Sequence, residues 1–334
     1  MDQENLINVA EKLVISGKGV LAADESSNTI KKRFDSINTV STESTRRDYR
    51  EMLFTTEGIS ELISGVILFD ETIRQNASSG LSLVELLSQQ GIIAGIKVDK
   101  GLKLIPGYTD ETFTEGLDGL GERLDEYRNI GAKFTKWRGV IKIGENIPTM
   151  NCIKINAHSL ARYAALSQQA GLVPIIEPEV LMDGFHDISQ CYEVTKDTLR
   201  EVFYDLGEHG VDFKGILLKP NMVISGKNSV NRAGPEEVAY QTLSCLNDTV
   251  PASVPGIVFL SGGQGDEEAT VNLNSINIKA KELKSPWELS FSYGRGLQAA
   301  PLKEWQGKKE KEKSAQNIFY ERSKAVSLAR QGKY

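Results

Sequence analysis

Eight short apolar runs recur along the chain, most of them closed by a charged or hydroxyl residue. They are Gly19–Asp24, Gly65–Asp70, Ile92–Asp99, Phe134–Ile141, Leu172–Glu179, Gly215–Lys219, Gly256–Ser261 and Leu289–Tyr293. Each is short and rich enough in β-branched or aromatic residues to predict a buried strand. Their starts lie roughly 30 to 45 residues apart, the length of a strand-plus-helix unit. The gaps carry helical periodicity. Between the fifth and sixth runs, Tyr192, Thr195, Leu199, Val202, Phe203 and Leu206 fall on one helical face, while Lys196, Asp197, Arg200, Glu201 and Asp205 lie mostly off it. Strands alternating with amphipathic helices predict a parallel sheet wrapped by helices, and eight repeats predict a (β/α)8 TIM barrel.

Length changes this picture little. The 334 residues suit one elaborated barrel, with neither a Pro/Ser-rich linker nor a near-identical repeat to divide it, so a single domain over 1–334 is expected. The net charge of −6 and the dispersed lysines give no nucleic-acid footprint. The run Lys308–Lys313 alternates in sign, and reads as a solvated surface helix or else a docking patch. The acidic amino end, Met1-Asp-Gln-Glu-Asn, lacks the basic and apolar regions of a signal peptide, and no apolar run approaches a membrane span. Three widely separated cysteines, Cys152, Cys191 and Cys245, favour reduced thiols over a disulfide framework. A cytoplasmic protein is expected.

The candidate chemistry lies in the strand-borne charges. Barrel side chains alternate between the interior and the helix layer, so a charge in an apolar strand should face inward or cluster at the top. That rule selects Asp24 at the end of the first run, Lys97 in the third, Lys136 and Arg138 on one face of the fourth, Glu177 and Glu179 on one face of the fifth, and Lys219 at the end of the sixth. Such a set is costly to desolvate unless its members pair or act on a ligand. One reading is a structural ion-pair plug. The other is catalysis, because barrel enzymes build their sites at the carboxyl ends of the strands. Two neighbouring interior lysines, Lys136 and Lys219, are expected to depress one another's proton affinity and yield the neutral amine that Schiff-base formation needs. These arguments do not choose between the two lysines.

An anion site is expected above the last two strands. Ser261-Gly-Gly-Gln-Gly265 leads into a helix start, and Ser292-Tyr-Gly-Arg295 follows the eighth run, which is the usual place for a phosphate in this architecture. Arg295 offers a bidentate cation. His158, His186 and His209 are isolated and lack metal-ligand spacing; His186, after the fifth run, is the one exception to an ordinary structural reading. Trp287 and Trp305 read as packing residues, and Trp137 as a wall of the site beside Lys136.

Taken together, Gly17–Ser26, Gly95–Gly101, Lys136-Trp-Arg138, Ile175–Glu179, Leu217–Met222, Phe259–Gln264 and Phe291–Arg295 resemble class I fructose-bisphosphate aldolase, the metal-independent Schiff-base type. The resemblance runs from about Gly17 to Tyr334, nearly the whole chain. It implies that Lys219 condenses with the substrate ketone, that Glu177 is the general acid and base, and that Glu179 holds the lysine network. It further implies that Asp24 handles the C4 hydroxyl proton and that Lys136 supports charge at the imine. Ser261, the Gly262 backbone, Ser292, Gly294 and Arg295 are implied as ligands of the C1 phosphate, with Ser26, Arg33 and Lys97 at the other end of the sugar and Arg138 as a further substrate contact. No cofactor is implied, and the partners are sugar phosphates and copies of the same chain in a homotetramer. The family's carboxy-terminal tail is expected to be absent here. The stretches Glu25–Thr29 and Val223–Lys227 differ from the animal forms and leave open the preference between fructose 1,6-bisphosphate and fructose 1-phosphate. Two alternatives remain: a Schiff-base lyase for another aldehyde, and a non-catalytic scaffold on the same barrel.

Overall fold

The computed structural model describes residues 3–334; Met1 and Asp2, which open the acidic amino end, lie outside the described residues. Eight parallel strands close into a barrel: β1 (Gly19–Ala23), β2 (Ile63–Leu68), β3 (Ile93–Lys97), β4 (Phe134–Ile141), β5 (Val173–Val180), β6 (Leu217–Leu218), β7 (Gly256–Phe259) and β8 (Glu288–Tyr293). Each strand pairs with its sequence neighbour, and β8 returns to β1 through Val20 opposite Ser292 and Leu21 opposite Tyr293. This is the (β/α)8 barrel that the eight apolar runs predict. Most strands differ from their expected bounds by a residue or two, and at two of them the cause is local. β2 begins at Ile63, and Asp70 opens the short helix Asp70–Ile73 instead of closing the strand. β6 shrinks to two residues because Phe213–Gly215 form a 3-10 turn before it, capped by the Asp212 side chain on Lys214 N, and because Pro220 has no N–H to continue the ladder. Lys219 N still donates to Ile176 O at 2.8 Å, which holds Lys219 at the barrel's edge.

Side-chain alternation divides the apolar residues into two cores. Val20, Ala22, Ile67, Phe134, Val173, Ile175, Leu217 and Val258 point into the barrel, plugged from below by Leu6, Ala10 and Leu13 of the helix Gln3–Leu13. Leu21, Val66, Ile96, Trp137, Ile176, Leu218, Ile257 and Phe291 belong to the layer shared with the outer helices. Phe134 fills the lower barrel because Gly95 faces it: a Cβ there would lie 2.3 Å from the ring. Removing such a ring costs about 3–5 kcal/mol.

On the inward face four of the strands climb from apolar to charged. β1 runs Val20, Ala22, then Asp24; β4 runs Phe134, Lys136, Arg138; β5 runs Val173, Ile175, Glu177, Glu179; and β6 runs Leu217, then Lys219. The lower half stabilises the barrel and the upper half is left polar. Register aligns the polar halves, with Arg138 opposite Glu177 and Lys97 opposite Lys136.

The helices that cover this barrel are locally specified. Ile188–Glu208 is opened by a capping box between Asp187 and Gln190 and buries Thr195, Leu199, Val202, Phe203 and Leu206, the face its periodicity predicts. The Lys308–Lys313 run is a 3-10 turn at Lys309–Lys311 leading into the helix Glu312–Arg330, with loose ion pairs to Glu304 and Glu57. A two-stranded antiparallel hairpin, Leu102–Leu104 with Thr112–Thr114, is inserted after β3, and Thr114 Oγ1 donates to Arg138 O at 2.6 Å.

Candidate active site

The carboxyl ends of the strands surround a cavity of about 680 Å³. All fourteen residues singled out in the sequence line it: Asp24, Ser26, Arg33, Lys97, Lys136, Arg138, Glu177, Glu179, Lys219, Ser261, Gly262, Ser292, Gly294 and Arg295. Four of them form an unbroken line of charge. Lys219 Nζ lies 3.0 Å from Glu177 Oε1, Glu177 Oε2 lies 3.0 Å from Lys136 Nζ, and Lys136 Nζ lies 2.6 Å from Asp24 Oδ2. The Glu177 Oε2 contact is an ion pair without the alignment of a hydrogen bond. Glu177 therefore stands between the two lysines, one oxygen toward each, and can exchange a proton with either. Lys219, Lys136 and Glu177 are all buried.

The electrostatics of this line correct one expectation. Burial pushes the Lys136 ammonium toward neutrality, but Asp24 and Glu177 outweigh it, and its pKa is raised. Lys136 is thus a fixed cation, not an amine neutralised by its neighbour, because two carboxylates stand at 2.6 and 3.0 Å from its ammonium. Asp24 mirrors it. Burial works to raise its pKa, Lys136 and then Lys219 overcome that, and the carboxyl is held well below its ordinary range. Glu177 is lowered likewise, against burial, by Lys136, Lys219 and Arg138.

Glu179 takes a different partner from the one expected. It pairs with Arg138 Nε rather than with either lysine; burial works against the charge on Arg138, but Glu179 outweighs it and holds Arg138 as a cation of raised pKa on the cavity wall. Trp137 also departs from expectation. Its neighbours Lys136 and Arg138 face inward, so alternation sends Trp137 outward, where it is fully buried and stacked on Tyr163 at 5.6 Å.

Above β7 and β8 the backbone is free to approach a ligand. Gly263 has φ +73, and a Cβ there would meet Met182 Sδ at 1.8 Å; one on Gly262 would meet Glu179 Oε1 at 2.8 Å. The helix Asp266–Leu283 starts after this loop, and Arg295–Trp305 starts directly after Gly294. Ser292 Oγ is buried without a hydrogen-bond partner among the described residues, a donor kept free inside the cavity. Arg33 reaches this same rim. Its Nη2 lies 3.9 Å from where a Cβ on Gly294 would be, so the groups expected at separate ends of a ligand meet beside the β8 loop.

Two carboxylates in the cavity are absent from the sequence-based set. Asp99 pairs with Lys97 at 2.8 Å. It shares the face of Lys97 and closes the same run, so the alternation rule could have found it. Glu25 pairs with Arg33 and follows Asp24 on the opposite parity, where only its buried partner Arg50 betrays it. Counting these, Lys32, Arg33, Lys97, Lys136, Arg138, Lys219 and Arg295 face five carboxylates in the lining, an excess of cations in a chain of net charge −6. The arrangement suits an anionic ligand carrying an electrophilic carbon. The histidines stand apart: His186 is buried outside this lining, His158 and His209 pack ring to ring at 5.1 Å, and among the described residues no group of His, Cys, Asp and Glu could hold a metal.

Comparison with known proteins gives a consistent answer. The family model for fructose-bisphosphate aldolase class-I matches residues 5–334. A protein of Xanthomonas campestris pv. campestris described as a probable fructose-bisphosphate aldolase class 1 is 53% identical over 338 residues, covering 100% of this chain and 99% of the relative. Fructose-bisphosphate aldolase 4, cytosolic, of Arabidopsis thaliana is 52% identical over 98% of this chain and 83% of its own length. Among solved structures, fructose-bisphosphate aldolase of Plasmodium falciparum, in complex with TRAP and a small-molecule inhibitor, superposes with a TM-score of 0.97 at 51% identity, covering 99% of this chain and 95% of that one. Identity above half along a shared barrel, with the charged line at its mouth intact, makes this chain a member of the class I fructose-bisphosphate aldolase family.

Proposed function

We propose that the chain catalyses the reversible aldol cleavage of fructose 1,6-bisphosphate to dihydroxyacetone phosphate and glyceraldehyde 3-phosphate, as a step of glycolysis and gluconeogenesis, with residues 1–334 acting as one catalytic domain. The observation that carries the reading is the contiguous line Lys219, Glu177, Lys136 and Asp24 beneath a cation-rich rim. Lys219 gives its proton to Glu177 and attacks C2 of the ketone. Glu177 returns a proton to the carbinolamine hydroxyl, which leaves as water, and a protonated imine remains. Lys136, held as a cation, supports the oxygen as charge develops on it. The imine draws the electron pair of the C3–C4 bond while Asp24 takes the C4 hydroxyl proton. Glyceraldehyde 3-phosphate departs, the enamine is protonated at C3, and water releases dihydroxyacetone phosphate from Lys219.

Ser261, the Gly262 backbone, Ser292, Gly294 and Arg295 hold the C1 phosphate. Ser26, Lys97 and Arg33 serve the C6 end, Arg33 from the side nearest Gly294; Arg138 lies along the sugar, and Glu179 acts through Arg138. The imine is itself the electron sink, so the chemistry needs no metal or other cofactor. EDTA should leave turnover unchanged, and an inactivation reversed by a divalent cation would count against this mechanism. We take the protein to be a cytoplasmic homotetramer acting on free sugar phosphates, not on nucleic acid or membranes. Three buried free cysteines suit a reducing compartment, an Arabidopsis relative is described as cytosolic, and no helix among the described residues is long and apolar enough to cross a membrane.

The test is borohydride reduction in the presence of dihydroxyacetone phosphate, followed by peptide mass spectrometry. A substrate-dependent adduct on Lys219 is expected, and Lys219→Met should fold, form no adduct and lose cleavage by several orders of magnitude. An adduct on Lys136 instead, or substantial turnover by Lys219→Met, would remove Lys219 from its role.

A further inference from the structure

Arg33 stands at the cavity rim, yet no neighbour on its own helix, Ser27–Asp35, fixes its guanidinium. Its one side-chain hydrogen bond among the described residues runs from Nη1 to Glu25 Oε1, which leaves the remaining N–H groups of the fork free. Glu25 is itself held by two other residues. Gln298 Nε2, on the helix that starts at Arg295, donates to Glu25 Oε1 at 2.9 Å and to Ala22 O at 2.7 Å. Arg50, on the helix Glu43–Phe54, donates from Nη2 to Glu25 O at 2.8 Å and faces Glu25 Oε2 at 3.9 Å. Arg50 is almost wholly buried, and its far side faces Glu71 Oε1 at 3.8 Å; Arg46 donates to both oxygens of Glu71, from Nε to Oε1 at 2.8 Å and from Nη2 to Oε2 at 2.5 Å.

We infer that Glu25 is a positioning residue for substrate: clamped by Gln298 and Arg50, it aims Arg33 into the cavity and orders the free part of its guanidinium toward a phosphate. The geometry explains why a carboxylate is kept in a buried place. Arg50 without it would keep only Glu71, at 3.8 Å and shared with Arg46, to offset its buried charge, and Arg33 without it would sweep the rim, so that binding would first have to order a long side chain. Glu25 also couples the two sources of phosphate contacts, because Gln298 belongs to the helix that carries Arg295 while Arg33 belongs to the helix after β1. Glu25 touches no reacting atom in this arrangement, so its influence should fall on binding and leave the chemical step alone.

The inference rests on the aldolase reading for its ligand, and binding is therefore measured separately from turnover. In a Lys219→Met background, Glu25→Asp keeps the charge against Arg50 but withdraws the carboxylate from Arg33; calorimetry should show fructose 1,6-bisphosphate binding about tenfold more weakly. Adding Arg33→Ala should erase the difference that Glu25→Asp makes. With Lys219 intact, Glu25→Asp should raise KM and leave kcat within about twofold. Should Glu25→Asp fail to fold, Gln298→Met, which frees one side of the same carboxylate and leaves Arg50 compensated, should weaken binding in the same direction and again only when Arg33 is present. Unchanged affinity, a loss that persists at full size without Arg33, or a kcat that falls as far as kcat/KM would each overturn the role. The binding arm is decided whether or not Lys219 forms an adduct.

Discussion

Asp24 and Glu177 keep their charge because cations surround them, and this ties stability to pH in a definite direction. An unfolded aspartate takes up its proton near about pH 4. Folded Asp24 and Glu177 hold out to lower pH, because Lys136 and Lys219 outweigh the cost of burial. In that interval the unfolded chain binds more protons than the folded one, so stability falls as acid is added. Their contribution is whole above the unfolded value and is lost as pH drops through the folded ones. Lys136 has a raised pKa, so its share is whole below its unfolded value and is lost only in strong alkali. Asp24→Asn should therefore cost about 3 kcal/mol at neutral pH, near the low end for a broken buried pair because Glu177 still faces Lys136. The gap between thermal melts of variant and parent should shrink steadily as the pH is lowered below about 4; a gap that stayed constant or widened would mean Asp24 is not stabilised by these lysines. At this scale the sequence was legible where a charge interrupted an apolar run, as at Lys136, Glu177 and Lys219. It was illegible where the answer depended on distance. That Lys136 sits between two carboxylates, at 2.6 and 3.0 Å, is a fact of packing, and so is the union of Glu25 with Arg33 and Arg50.

Strands and loops at the top of the barrel lock into one another, and the fit is closest between the segment after β5 and the loop after β7. Gly263 sits in the left-handed region at φ +73, with Met182 Sδ occupying the space its Cβ would need. Gly263→Ala should lower stability by about 2–3 kcal/mol, part from overpacking and part from the backbone conformation. In a Met182→Ala background the contact is gone, and the same change should cost only the conformational part, about 1 kcal/mol. A double-mutant cycle in denaturant reads the difference, and strict additivity would show that the two loops do not press on each other. Element by element, all eight strands were legible because burial on both faces makes each a near-continuous apolar run. The hairpin Leu102–Leu104 with Thr112–Thr114 was not: its strands are three residues long, the first is wholly exposed, and neither gives the alternation that burial imposes. β6 was legible as a run and not as a length, since the turn at Phe213–Gly215 and the missing N–H of Pro220 set its ends. Adjacency to Lys136 suggests a wall of the site for Trp137, but strand parity reverses at every residue and sends its ring outward.

Considered as one body, the molecule sets two fields against each other. The chain carries a net charge of −6, which repels an anionic sugar at long range, while the barrel mouth gathers seven cationic side chains against five carboxylates. Distance decides between them. The cavity charges meet the ligand at contact behind low-dielectric walls, whereas the exterior charge is spread over the surface and is screened beyond a Debye length of about 8 Å at physiological salt. The cavity therefore governs binding, and the sequence places it there by a simple division: apolar side chains fill the lower barrel, so the charges that remain inward must share its top. Each phosphate on the ligand adds to what salt can weaken. KM for fructose 1,6-bisphosphate should rise severalfold between about 0.02 and 0.3 M potassium chloride, where screening shortens most, and KM for fructose 1-phosphate should rise by less. Turnover at saturation should barely change, because the line from Lys219 to Asp24 is buried and its members are ion-paired at 2.6 to 3.0 Å. If KM for the bisphosphate fell with added salt, the acidic exterior and not the cationic mouth would control the approach of substrate. If both substrates shifted equally, the rim cations would not distinguish one phosphate from two, and the part assigned to Arg33 and Lys97 would fall.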